Sequence, residues 1–191
     1  MSSIGAPGFP LIGSLAVVAL LLLYGASYPG GVSLWVLPVL LVALVLGVIW
    51  FGRLVARLLN PVTRPDVRRN LPRWAAPPAI GLLVLALVMA GEPAKSRFAL
   101  SEQAFERVAR SAVAGDADWK TRSGTLGSFD ISWAERHGNT VRFALAGGGD
   151  VIHAHGLIWS PYGEPPLPEE EEYEPHVEHY YGPWYLWVES F

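Results

Sequence analysis

The chain has 191 residues, a formal net charge of −3 and no cysteine. Hydrophobic residues make up 51% of it, a high share for a wholly water-soluble protein. The absence of cysteine excludes disulfides, zinc-thiolate sites and thiol nucleophiles.

The charged residues are divided unevenly along the chain. Residues 1–91 carry six arginines and one aspartate, a net charge of +5, whereas residues 92–191 carry eight basic and sixteen acidic residues, a net charge of −8. Such a split is typical of a membrane part joined to a water-soluble part. We therefore predict a transmembrane region over residues 1–91 and a soluble domain over residues 92–191.

Three uncharged apolar stretches, residues 10–28, 33–51 and 74–90, predict transmembrane helices. A bilayer core about 30 Å thick needs roughly 20 such residues in a helix. Pro77 and Pro78 fall in the first turn of the third stretch, where a missing backbone amide costs least. None of the three stretches contains an ionisable residue, which disfavours an ion pathway through them and favours an anchor or packing surface.

All six arginines of the N-terminal half lie between the second and third stretches. Basic loops of this length stay in the cytoplasm under the positive-inside rule. We therefore expect the N-terminus and this loop in the cytoplasm and the C-terminal domain on the outer face of the cell's inner (plasma) membrane. The arginines are also expected to contact lipid headgroups, and no nucleic-acid partner is expected. They are Arg53, Arg57, Arg64, Arg68, Arg69 and Arg73.

The predicted fold class is a membrane all-α region of about three helices plus a small α+β soluble domain, with one helix on an antiparallel sheet. Residues 92–97 are expected to form a linker. Ser101 is expected to cap an amphipathic helix, and Gly115 to end it.

The sequence pattern changes to a period of two from Gly127 onwards. Alternation over residues 129–133 places Phe129, Ile131 and Trp133 on one face, and residues 137–139 have the chemistry of a hairpin turn. Val141, Phe143 and Leu145 alternate again and complete the hairpin. Further strands are predicted over residues 151–159 and 184–188. Residues 160–173, rich in proline and glutamate, predict an exposed loop.

Two histidines give the sharpest candidate for chemistry. His153 and His155 are two residues apart on a predicted strand, so both imidazoles are expected on one face, as some zinc sites require. His176, Glu178 or His179 could supply a further ligand. The competing interpretation is that these are ordinary strand and loop histidines. No serine-nucleophile turn and no phosphate-binding glycine loop is present, and no cofactor is expected.

The densest aromatic cluster of the chain contains Trp184, Tyr185 and Trp187. Such rings bury a large area, so we expect them to pack in the core of the domain. If they instead faced outwards, they would form an interaction surface for a glycan or a lipid.

The last third of the chain carries recognisable motifs. They are GGD at residues 148–150, WSPYGEPP at residues 159–166 and GPWYxW at residues 182–187. In these motifs the chain resembles uncharacterised predicted membrane proteins of actinobacteria. The resemblance implies a bacterial cell-envelope setting and brings no assigned activity.

The leading functional hypothesis is a non-enzymatic membrane protein whose outward-facing domain binds another envelope protein. One alternative is a metal-binding or enzymatic domain built on His153 and His155. A second alternative is an accessory subunit of a transport or secretion complex. Membrane lipids are expected partners in every case.

Overall fold

The computed structural model describes residues 8–30, 35–115, 122–147, 153–166 and 176–190. The chain folds into two compact units, the first comprising Met1–Gly25 and Trp35–Ala90, and the second Ala26–Leu34 and Gly91–Phe191. The division falls next to the predicted one, with one difference. The short connection between the first two apolar helices belongs to the C-terminal unit.

The first unit is helical. Its helices are α1 (Phe9–Gly25), α2 (Val36–Leu59), α3 (Arg64–Arg69) and α4 (Leu71–Met89). α1 packs against both α2 and α4. By length and composition α2 and α4 are apolar enough to cross a membrane, and α1 is a shorter apolar helix. The most apolar stretch of α2 has no buried residue, which is typical of a surface that contacts lipid.

The arginine-rich segment is mostly helical, whereas the sequence predicted a loop. α2 continues to Leu59, so Arg53 and Arg57 lie within it, and the other four arginines lie on α3 and in the first turn of α4. Arginine is a good helix former, so basic residues end the apolar stretch without ending the helix. Arg57 also forms an ion pair with Asp66 at 3.7 Å.

The second unit begins with α5, which spans Glu92–Ala114 and includes the residues predicted as a linker. Gly91 precedes the helix with a left-handed φ of 68°, and Pro93 falls in the first turn, where amides lack partners in any helix. Ser101 is therefore not a cap but a buried residue of the helix interior, 1% exposed. Gly115 ends the helix as predicted, with a φ of 85°.

Six strands form one antiparallel sheet in the order β1-β2-β3-β4-β6-β5. The strands are β1 (Arg122–Leu126), β2 (Phe129–His137), β3 (Thr140–Leu145), β4 (His153–Trp159), β5 (His176–Tyr181) and β6 (Trp184–Ser190). The sheet is larger than predicted, because the two edge strands β1 and β5 were not anticipated. Both are short and rich in polar residues, so they lack the alternation by which a strand is recognised. Part of the predicted acidic loop, residues 167–173, lies outside the described residues.

α5 covers one face of the sheet and builds the main core with it. The Phe105 ring meets the Phe143 ring edge-on, with 5.2 Å between ring centroids. Phe98 meets Trp184 in the same way, also at 5.2 Å. Burying each such side chain stabilises the fold by roughly 1.5–3 kcal/mol, so these aromatic contacts account for much of the adhesion between helix and sheet.

A β-bulge between Ile131 and Trp133 changes the face on which Trp133 lies. The sequence predicted Trp133 on the same face as Phe129 and Ile131. An extra residue in one strand reverses the alternation beyond it. Trp133 consequently lies on the opposite face, where its ring centroid is 5.6 Å from that of Trp187.

Candidate functional site

Arg97 of α5 holds the connection between α1 and α2 within the C-terminal unit. Its guanidinium carbon lies 4.2 Å from the ring centroid of Tyr28 and 4.4 Å from that of Phe129. The guanidinium also donates hydrogen bonds to Ser27 Oγ at 3.0 Å and to Ser128 Oγ at 3.2 Å. We call these five residues the Arg97 clamp.

The Arg97 clamp depends on properties that arginine has and lysine lacks. A guanidinium can make cation–π contacts while its five N–H groups donate several hydrogen bonds, whereas a lysine ammonium has three donors on a single atom. The rings of Tyr28 and Phe129 also contact each other edge-on, at 6.2 Å between centroids. The sequence predicts a linker at Arg97, and no motif marks this residue.

The same connection passes closely over His155, which is 4% exposed. Gly30 has a φ of 90°, and a Cβ placed on it would lie 3.2 Å from the Cβ of His155 and 3.8 Å from a methyl group of Val188. A glycine therefore allows the backbone to approach β4 and β6 at this point. His155 is a packing residue of the C-terminal unit.

The proposed zinc ligands do not form a cluster in the described part of the chain. His153 begins β4, two residues before His155, but its side chain lies outside the described residues. His155 and His176 each pair with Val188, so they lie two strands apart with Val188 between them. Among the described residues, no three His, Asp or Glu side chains form a group able to hold a metal ion. The metal-binding alternative stays a prediction without support from these residues.

The aromatic residues proposed as an interaction surface lie mainly in the interior. Trp184 and Trp187 are both 0% exposed, Trp184 towards α5 and Trp187 on the opposite face of the sheet. Neither ring is presented to a glycan or a lipid, because each fills a core cluster. Tyr185 is half-buried, and its ring meets the exposed His179 edge-on at 5.1 Å.

Trp187 crosses β4 at Gly156 and ties β6 to β3. Its Nε1 donates a hydrogen bond to the Phe143 carbonyl oxygen at 3.1 Å. A Cβ at Gly156 would lie 1.8 Å from that oxygen and 2.7 Å from the indole nitrogen. The guanidinium carbon of Arg142 lies 3.9 Å from the Trp187 ring, and Arg142 forms an ion pair with Glu189 at 3.0 Å. These contacts link β3, β4 and β6 on this face of the sheet, which is therefore a structural part of the domain.

An apolar groove of about 230 Å³ opens between the first half of α5 and the end of β5. The Tyr180 hydroxyl is buried in it with no hydrogen-bond partner among the described residues. Burial raises the pKa of Tyr180 to about 12.

The strand β5 ends the strand order of the sheet, so no other strand in the described part of the chain pairs with its outer edge, which lies beside the groove. Such an edge can accept an extended segment of another protein. The residues lining the groove are Lys95, Phe98, Ala99, Glu102, Tyr180 and Tyr181.

The six arginines predicted to contact lipid headgroups lie at one end of the helical unit. They occupy the C-terminal part of α2, α3 and the N-terminal turn of α4. The guanidinium carbon of Arg73 lies 5.9 Å from the ring centroid of Phe9, which begins α1. Their contact with headgroups stays a prediction.

Comparisons of the chain with protein-family models, with curated proteins and with solved structures find no match. No function is therefore transferred from a relative, and the resemblance to membrane proteins of actinobacteria stays a prediction.

Proposed function

We propose that this chain is a multi-pass protein of a bacterial inner membrane whose C-terminal domain lies on the outer face and binds another envelope protein. The chain crosses the bilayer through α1, α2 and α4. The N-terminus and the arginine-rich end of the helices lie in the cytoplasm. The domain acts as a binding module rather than as an enzyme.

The observation that carries this proposal is the Arg97 clamp. Ser27 and Tyr28 belong to the connection between α1 and α2, yet they pack in the same unit as residues 91–191. An even number of crossings must therefore separate this connection from the C-terminal domain, and α2 and α4 supply two. α1 supplies a third crossing, because it is apolar and packs against both of these helices.

The distribution of charge supports the orientation. Six arginines and one aspartate make the stretch from the C-terminal end of α2 to the first turn of α4 positively charged, and such stretches remain in the cytoplasm. The C-terminal domain, on the other side, carries the acidic excess. Long folded domains are translocated largely regardless of their charge.

The groove beside β5 supports the binding role. It combines an apolar floor, a buried hydroxyl and a strand edge that pairs with no other described strand, which together suit a partner segment that adds as a further strand. No constellation of nucleophile, base and orienting group accompanies the groove in the described residues, so binding explains its features better than catalysis.

Photo-crosslinking in growing cells tests the binding role. A photoreactive amino acid replaces Tyr181, which is 60% exposed at the rim of the groove, and in a control strain it replaces Tyr162, which is 84% exposed and does not line the groove. We expect a covalent adduct with one envelope protein from position 181 only. Equal capture from both positions, or none from position 181, would overturn the binding role.

A matched pair of variants tests, in the same experiment, whether the groove itself binds the partner. Ala99→Trp fills the groove and should reduce the adduct at least about tenfold, whereas Gln103→Trp lies exposed on the same helix and outside the groove and should leave it unchanged. An adduct with a channel subunit would assign the partner to a transport or secretion complex.

A further inference from the structure

We infer that the helical unit binds an anionic membrane lipid, with an acyl chain in a cavity between α1, α2 and α4 and the phosphate at the arginine-rich end. This inference rests on the proposed insertion of these helices into a bilayer. It adds a defined site for one lipid molecule to a region whose arginines are otherwise expected to set the orientation and to contact headgroups in general.

The cavity has a volume of about 310 Å³. Its walls come from all three long helices and are apolar except at Trp50. Such apolar surroundings favour an apolar occupant over water. Residues that define it are Val18 of α1, Ala43, Gly47 and Trp50 of α2, and Pro77 and Gly81 of α4.

Trp50 supplies a polar group at one end of this cavity. Its indole nitrogen is buried and has no hydrogen-bond partner among the residues that the structure describes. Trp50 lies at the end of the second predicted span, the depth at which tryptophans meet the polar boundary of a bilayer. A glycerol ester carbonyl of a lipid lies at the same depth and can accept this hydrogen bond.

The charges beyond Trp50 favour an anionic headgroup. Arg53 follows Trp50 by three residues, about 4.5 Å along the helix axis, and Arg73 precedes Pro77 by one turn on the facing helix. Arg53 and Arg73 are the arginines on α2 and α4 that follow or precede a residue lining the cavity by one helical turn, and Arg57 is already paired with Asp66. We therefore assign Arg53 and Arg73 to the phosphate. A lipid with a net negative charge complements them, whereas the ammonium group of a zwitterionic lipid opposes the attraction.

Native mass spectrometry of the full-length protein tests the site. Phosphatidylglycerol and phosphatidylcholine with identical acyl chains are added in equal amounts to the protein in mild detergent. We expect one phosphatidylglycerol molecule to be retained about tenfold more than phosphatidylcholine, from the attraction of two arginines. Equal retention of the two lipids would overturn the proposal.

Three glycine variants test the cavity itself. A Cβ added at Gly47, Gly81 or Gly52 meets no other atom within 4 Å, so α2 and α4 have room for a side chain at these positions. Gly47→Leu and Gly81→Leu fill the cavity and should each reduce retention about tenfold, while Gly52→Leu lies outside it and should not. Retention unchanged in both cavity variants would contradict the site.

A charge comparison completes the test. The double variant Arg53→Gln/Arg73→Gln should lose the preference for phosphatidylglycerol. The matched double variant Arg107→Gln/Arg110→Gln, on α5, should keep it. A preference that survives the first change would overturn the assignment of the phosphate. Loss of lipid binding in a protein whose domain is still exposed on the outer face would leave the proposed function intact, so the two failures are distinguishable.

Discussion

The guanidinium of Arg97 contacts the rings of Tyr28 and Phe129. These contacts hold the connection between α1 and α2 in the C-terminal unit. Arg97→Ala removes both ring contacts and the hydrogen bonds to Ser27 and Ser128. We expect the free energy that keeps residues 26–30 packed in the C-terminal unit to fall by about 2–3 kcal/mol. Hydrogen exchange of the backbone amides of residues 26–30 should become at least tenfold faster.

Arg110→Ala is the matched control for this change. Arg110 contacts Glu106 on the exposed side of the same helix, at 2.7 Å, and such a pair contributes under about 0.5 kcal/mol. Exchange over residues 26–30 should then stay as in the unmodified protein. Equal acceleration in the two variants, or none with Arg97→Ala, would show that the Arg97 clamp does not hold the segment.

Tyr180 gives a pH dependence that can be assigned to one hydroxyl. Burial raises its pKa to about 12, from an unfolded value of 10.0. The folded state therefore favours the neutral phenol, and the stability this contributes is fully present below pH 10 and is lost as the pH rises through about 12. Unfolding followed across this range should show less loss of stability in Tyr180→Phe than in the unmodified protein.

The exposed neighbour Tyr181 is the control for the titration. Ultraviolet absorbance should show one tyrosine ionising near pH 12, and Tyr180→Phe should remove that step. Tyr181→Phe should leave it in place. A high-pH step that persists in Tyr180→Phe would mean that another tyrosine is the buried one.

Contacts between individual side chains are the features that the sequence predicts least well. Arg97 meets partners 31 and 70 positions away, and no local pattern encodes such a pairing. The alternation around Ile131 predicted the strand correctly, but the bulge that redirects Trp133 leaves no mark in hydrophobic periodicity. His155 was expected as a possible ligand because spacing cannot distinguish an open strand face from one covered by Gly30.

At the scale of elements, the pairing of β3, β4 and β6 depends on the Trp187 side chain, which lies across β4. Gly156→Ala places a methyl group 1.8 Å from the Phe143 carbonyl oxygen, so β3 and β4 must separate or Trp187 must leave its hydrogen bond. We expect the free energy of unfolding to fall by about 3 kcal/mol, the upper part of the range for overpacking. Thermal unfolding of the full-length protein, followed by tryptophan fluorescence, measures it.

Gly52→Ala serves as the control, because a Cβ there meets no other atom within 4 Å. It should leave the unfolding temperature of the sheet domain unchanged or slightly raised. An unaltered transition in Gly156→Ala would mean that Trp187 does not lie across β4 as the structure places it.

Elements with strong periodicity were predicted well and elements without it were missed. The two longest apolar helices, the end of α5 at Gly115 and the hairpin of β2 and β3 all follow from spacing and turn chemistry. β1 and β5 lie at the edges of the sheet and carry mostly polar side chains, so their sequences resemble loops. α5 begins nine residues before the expected cap at Ser101, because Pro93 suits a first turn as well as a linker.

At the scale of the whole molecule, composition alone separated an apolar basic half from an acidic half. What it did not reveal is that the connection after α1 belongs to the C-terminal unit. That assignment depends on contacts between segments far apart in sequence. It is also the observation on which the proposed side of the membrane depends.

Labelling of single cysteines tests this account most directly, because the chain contains no cysteine of its own. Tyr162→Cys places a thiol on the C-terminal domain, and Val62→Cys places one in the arginine-rich segment; both sites are more than 80% exposed. A membrane-impermeant maleimide applied to intact spheroplasts should label position 162 at once and position 62 only after the membrane is permeabilised. Labelling of position 62 alone before permeabilisation, or of both positions, would contradict the proposed outer location of the domain.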